Sequence, residues 1–167
     1  MSSKGKVIAL CGKVASGKTY YANKLKSHEN AIIFSVDELT FYLFDNRDGE
    51  NYVDLTQRAI NYFMAKSVEL AEKGINIILD IGLWQSSARK QLRDFYTNNG
   101  IDCEIHYIDI DDESWENNIE NRNKRIEAGN KGTDFYVTAS MKKTVLSLWE
   151  KPSKDEIDVW YEFKRED

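Results

Sequence analysis

Residues 12–19 read Gly-Lys-Val-Ala-Ser-Gly-Lys-Thr and match G-x-x-x-x-G-K-[ST] at every fixed position. This pattern constrains a fold because it works only between a strand and a helix. Residues 6–11 form an apolar run that reads as a buried strand, and residues 20–26 read as a helix. Glycines let the backbone curl so that successive N–H groups of Gly12, Lys13, Val14, Ala15, Ser16, Gly17, Lys18 and Thr19 point at one anion, beside the positive end of a helix. Lys18 is placed to reach β- and γ-phosphates and is expected to be exposed. The Thr19 hydroxyl is placed to ligate Mg²⁺. The segment predicts binding of a nucleoside triphosphate, ATP with Mg²⁺.

Strand and helix patterns alternate along the rest of the chain, the signature of a parallel α/β sheet. Residues 31–35 read as the second strand. Ser35 and Glu38 then fit a capping box that opens an apolar turn through Leu39, Phe41, Tyr42, Leu43 and Phe44. A polar loop over 45–51 precedes a long helix over 55–73, with Leu55, Ala59, Phe63, Ser67 and Leu70 on one face, and Gly74 ends it. Further strands are predicted over 75–80, 103–110 and 157–163. Further helices are predicted over 86–98, over 113–128 and after a Thr138 cap. No repeat or linker divides residues 1–167, so one domain is expected.

The formal charge of −5 weighs against a polyanionic partner such as nucleic acid. No apolar run approaches the roughly 20 residues needed to span a membrane, and the first six residues leave no room for a signal peptide before the first strand. Cys11 and Cys103 have no metal-ligand spacing and are expected to be buried free thiols in a reducing compartment. These features together predict a cytoplasmic protein, monomeric or weakly homodimeric.

Three further sites carry chemistry. Asp80 closes the third strand, where a carboxylate holds Mg²⁺ or its waters, or is simply a polar strand end. Asp37 lies just past the second strand, at the carboxyl edge where parallel sheets bind ligands. It can take the proton of an attacking hydroxyl, and it also suits the first turn of a helix. Arg122 falls inside the apolar stripe of Trp115, Ile119 and Ile126, with Arg125 next to the loop 129–132. The two can form a lid that stabilises a transferring phosphoryl group, or belong to a solvated charged face. A guanine-reading N-K-x-D is missing, because Asp134 falls one residue late after Asn130, and a motor ATPase needs a larger chain. A small kinase fits best.

The set formed by residues 12–19, Ser35 with Asp37, Asp80 with Trp84 and Arg89, and Arg122 with Arg125 before a Thr138 helix resembles one family. This is the group of small P-loop kinases that includes polynucleotide kinase, chloramphenicol phosphotransferase and zeta toxin. The resemblance implies a P-loop NTPase α/β fold with a five-stranded parallel sheet in the order 2-3-1-4-5, flanked by helices and carrying a lid. It implies an ATP-dependent phosphotransferase in which Asp37 is the base toward a hydroxyl acceptor. Thr40 stands where polynucleotide kinases carry an arginine, and Asn118 where many relatives carry another. The expected acceptor is a small-molecule hydroxyl, with nucleic acid and membrane disfavoured. A toxin-like module acting on a protein and a polynucleotide 5′-hydroxyl kinase are the alternatives. Phe41, Tyr42, Leu43, Phe44, Tyr52 and Trp84 either line an aromatic acceptor pocket or pack in the core. Arg89 either meets an anionic acceptor or decorates a helix.

Overall fold

A computed structural model describes residues 3–43, 52–130 and 132–164. The element order is β1 (Val7–Cys11), α1 (Lys18–Glu29), β2 (Ala31–Ser35), α2 (Val36–Leu43), α3 (Tyr52–Glu72), β3 (Asn76–Asp80), α4 (Ser86–Asn98), β4 (Cys103–Asp109), α5 (Asp112–Glu127), α6 (Ala139–Leu148) and β5 (Val159–Glu162). A 3₁₀ turn over Lys154–Glu156, absent from the sequence reading, precedes β5. The strands form one parallel sheet in the order β2-β3-β1-β4-β5, as the resemblance implied.

Alternation along the central strands assigns each sheet face. Val7, Ala9 and Cys11 of β1, Ile77 and Leu79 of β3, and Ile105 and Tyr107 of β4 join one core with Phe63 and Ala71 of α3 and Leu92 and Tyr96 of α4. Ile8, Leu10, Ile78 and Ile108 point the other way, against Tyr21 and Ala22 of α1. A third cluster joins Val14 and Ala15 of the phosphate-loop segment to Trp115 and Ile119 of α5 and Val145 of α6. The glycine-bearing loop is therefore packed into the core through its own apolar residues.

Register then assembles the site. Leu10 and Ser35 both pair with Asp80, so β1, β2 and β3 end level with one another. The loop after β1, the first turn of α2 and the last residue of β3 meet at that edge. The chain runs from β1 to β2 on one side and later to β4 on the other, which makes β1 the topological switch point.

Candidate nucleotide site

The loop that follows β1 is held from outside through its carbonyl groups. Trp84 Nε1 donates to Gly12 O at 3.2 Å, Trp115 Nε1 to Val14 O at 2.7 Å, and Asn118 Nδ2 to Ala15 O at 3.0 Å. Lys18 Nζ donates to Gly12 O at 3.1 Å and Lys13 O at 2.8 Å. Carbonyls drawn away in this manner favour a loop that presents its N–H edge to an anion, but two of the expected N–H groups are already committed, Gly12 N donating to Gly82 O at 3.1 Å and Ser16 N to Lys13 O at 3.2 Å. Ala15 (φ 59°) and Gly17 (φ 96°) supply the left-handed turns, and Gly17 is the N-cap of α1. A Cβ on Gly17 would lie 2.7 Å from the Phe163 ring, and one on Gly12 would lie 2.6 Å from Ser16 Oγ. A side chain at either position would force its neighbour to shift, and at Gly17 it would also meet the left-handed backbone. Ser16 Oγ is fully buried without a hydrogen-bond partner among the described residues, as a group does when its partner is an anion in the cradle.

Two lysines differ from simple expectation. Lys18 is half-buried rather than exposed, because its ammonium satisfies itself on the two loop carbonyls. Lys13 turns its side chain away, with Nζ 4.1 Å from the centre of the Trp115 ring and 3.4 Å from Asp112 Oδ1. Its side chain is therefore turned away from the loop's anion-facing edge.

Thr19 Oγ1 donates to Asp80 Oδ2 at 3.4 Å. Asp80 is only 9% exposed. Burial pushes its carboxyl pKa up, and the nearby Asp37 carboxylate adds to this, while Lys18, the Thr19 bond and Arg122 oppose it. Asp37 occupies the first turn of α2 with Glu38, whose N–H donates to Ser35 Oγ at 3.3 Å. It is a helix-start acid and a cavity residue at once. Among the described residues no three acidic, histidine or cysteine side chains could hold a metal by themselves. Thr19 and Asp80 suit Mg²⁺, which takes few protein ligands and completes its shell with phosphate oxygens and water.

Arg122 and Arg125 converge on a single carboxylate, with NH2 groups 3.4 Å from Asp134 Oδ1 and 3.2 Å from Asp134 Oδ2. Arg122 is mostly buried, its guanidinium 5.6 Å from the centre of the Phe135 ring, whereas Arg125 is 63% exposed. One cavity of about 550 Å³ gathers Lys18, Thr19, Asp37, Asp80, Arg122 and Arg125. Its aromatic wall is Tyr20, Tyr161 and Phe163, from α1 and the end of β5.

That wall corrects the aromatic pocket expected from sequence. Trp84 is tied to the loop by its indole N–H, and Phe41, Tyr42 and Leu43 are exposed on α2 rather than lining the cavity. Phe44 and the Tyr52 side chain lie outside the described residues. Arg89 neither meets a ligand nor decorates a surface. It is 1% exposed, donates to Glu156 through Nε at 3.0 Å and NH2 at 3.3 Å, and donates to Leu83 O through NH1 at 3.0 Å. Thr40, where a phosphate-holding arginine would stand, is buried and donates to Asp37 O at 3.1 Å. The thiols are free, Cys11 buried and Cys103 half-buried. Sequence reasoning missed Trp115 and Asp134. An indole N–H in an apolar stripe and an acid after two loop glycines are weak signals without contacts across the fold.

Residues 7–145 match the family model described as AAA domain. The chain belongs to that family. Its architecture in this AAA domain is the P-loop kinase-like one, and the solved structures it resembles agree. The APS kinase of Mycobacterium tuberculosis, solved with AMPPNP and APS, superposes with a TM-score of 0.68 at 19% identity, covering 98% of this chain and 91% of that one. A gluconokinase from Sinorhizobium meliloti gives 0.63 at 13% identity, covering 99% and 86%. Chaetomium thermophilum Kti12 in complex with ADP-AlF3 gives 0.69 at 17% identity, covering 94% and 88%. No protein of curated function matches the sequence. No helix among the described residues is long and apolar enough to cross a membrane.

Proposed function

We propose that this AAA domain is an ATP-dependent phosphotransferase that moves the γ-phosphate to a hydroxyl of a small molecule. The observation that carries the reading is the single cavity in which the loop residues Lys18 and Thr19 face the carboxylates Asp37 and Asp80 and the arginines Arg122 and Arg125. In this reading the loop amides and Lys18 bind the phosphates. Thr19 and Asp80 would hold Mg²⁺, which would supply positive charge to offset that of the phosphates. Asp37 accepts the acceptor's hydroxyl proton at its carboxylate while the hydroxyl oxygen bonds to the γ-phosphorus and the bond to the departing ADP breaks. Arg122 and Arg125 form the lid and offset the charge on the transferring group. Gluconokinase and APS kinase are similar in fold and carry small-molecule names, which supports this acceptor class. Thr40 in place of an arginine and the charge of −5 weigh against a polynucleotide acceptor.

The test is ADP release with Mg·ATP across a panel of phenicol- and aminoglycoside-type alcohols, nucleosides, sugars and a 5′-hydroxyl oligonucleotide. One small alcohol is expected to stimulate release, and Asp37→Asn is expected to cut that stimulated rate by about 10²–10⁴ while ATP still binds. Stimulation by the oligonucleotide alone, or by nothing in the panel, would overturn the small-molecule reading.

A further inference from the structure

Asp134 is the one acid that both cavity arginines touch among the described residues, and the sequence reading gave it no role. Its two oxygens are divided between them, Oδ1 to Arg122 and Oδ2 to Arg125, and all three side chains line the cavity that holds Lys18. Arg122 and Arg125 lie one helical turn apart on α5, so two like charges share one face. A carboxylate between them relieves that repulsion and presents oxygens to guanidinium forks as a phosphate group does.

We propose that Asp134 is a positioning residue. It holds Arg122 and Arg125 in the cavity wall as their internal counter-ion, and it is exchanged for phosphate oxygens when nucleotide binds, so that it sets nucleotide affinity. The inference rests on the reading of the cavity as a nucleotide site. Exchange is favoured because Asp134 is 37% exposed and offers one negative charge, and ion pairs that reach solvent are weak. A triphosphate offers several charges to the same donors. Asp134 thus keeps the arginines assembled and lowers the affinity by the strength of the pairs it must give up.

The experiment measures binding of Mg·ATP and of ADP to the full chain by calorimetry. Asp134→Asn is expected to bind Mg·ATP about two- to fivefold more tightly at low salt, with the gain shrinking as salt rises. In turnover its KM falls while kcat does not rise. Asp134→Glu restores wild-type affinity. In the Arg122→Gln/Arg125→Gln background the Asn substitution changes nothing, because the exchanged partners are gone. Unchanged or weaker binding by Asp134→Asn, or a gain that survives in that background, would overturn the proposal while leaving the nucleotide site intact. No nucleotide binding by the wild-type chain would overturn both.

Discussion

Lys18 shows how much one side chain is asked to do. Its ammonium rests on Gly12 O and Lys13 O, and its charge is the main cationic influence opposing the upward push on Asp80. Lys18→Ala is expected to lower phosphoryl transfer by about 10²–10³, the scale for removing one preorganised donor to developing charge. The protein should stay folded, because Lys18 is only half-buried and both carbonyls keep another donor, Gly12 O the Trp84 indole and Lys13 O the Ser16 N–H. Retained activity alongside an unchanged circular-dichroism melt would remove Lys18 from the phosphate site. The loop itself was legible in sequence for a local reason, since the curl, the left-handed Gly17 and the lysine are specified within eight residues. Arg89 was not legible. Its burial depends on Glu156, 67 residues further along, and no local pattern announces a partner at that distance. The same holds for Trp84 and Trp115, whose indole N–H groups find loop carbonyls 72 and 101 residues away.

At the scale of elements, the helices and central strands follow from periodicity, and their observed bounds fall close to those expected. α1 runs longer than the expected 20–26, and β5 is shorter than the predicted 157–163, beginning after residues 154–156 turn and carry Glu156 to Arg89. The turn is a clamp between α4 and the sheet edge. Glu156 also accepts from Ser86 Oγ at 2.7 Å and from Ser153 N at 2.8 Å. The hydrogen bond from Arg89, with help from Ser153 and Ser86, holds its carboxyl pKa down at about 2. Glu156→Gln is expected to cost about 2–3 kcal/mol in urea unfolding at pH 7, less than a fully buried pair because the Glu156 side chain is 22% exposed. The pH dependence has a definite sign. A carboxylate whose folded pKa lies below its unfolded value stabilises above the unfolded pKa, and that stability is lost as pH falls through the folded pKa. The gap between wild type and Glu156→Gln should therefore be full above about pH 5 and shrink progressively toward pH 2. A gap that stays constant over this window would show that the clamp works by shape and not by charge.

At the scale of the whole molecule, the sheet register buries the Asp80 carboxylate beside the exposed Asp37, and this arrangement costs stability. Asp80 ends β3 level with Ser35 and Leu10, so the topology that levels three strands also drives a carboxylate under the α2 turn and beside Asp37. The sequence showed an acid at a strand end. It did not show the depth of burial, which is set by neighbouring strands that are distant in the chain. Because burial raises the folded pKa of Asp80, the folded state binds its proton more tightly than the unfolded chain does, so stability falls as pH rises through that interval and stays reduced above it. Asp80→Asn removes the penalty and can still accept from Thr19. We therefore expect the variant without nucleotide to unfold in a single transition, as one domain should, with Tm raised by a few degrees at pH 7. The gain should vanish in acid, where the wild-type carboxyl is protonated in both states. On the proposed reading phosphoryl transfer should fall in the same variant, since an amide would replace the carboxylate assigned to Mg²⁺. Scanning calorimetry at pH 7 and pH 3 with a parallel turnover assay separates the cases: a lower Tm at pH 7 would make Asp80 a structural acid, and a higher Tm with full turnover would remove it from the metal site.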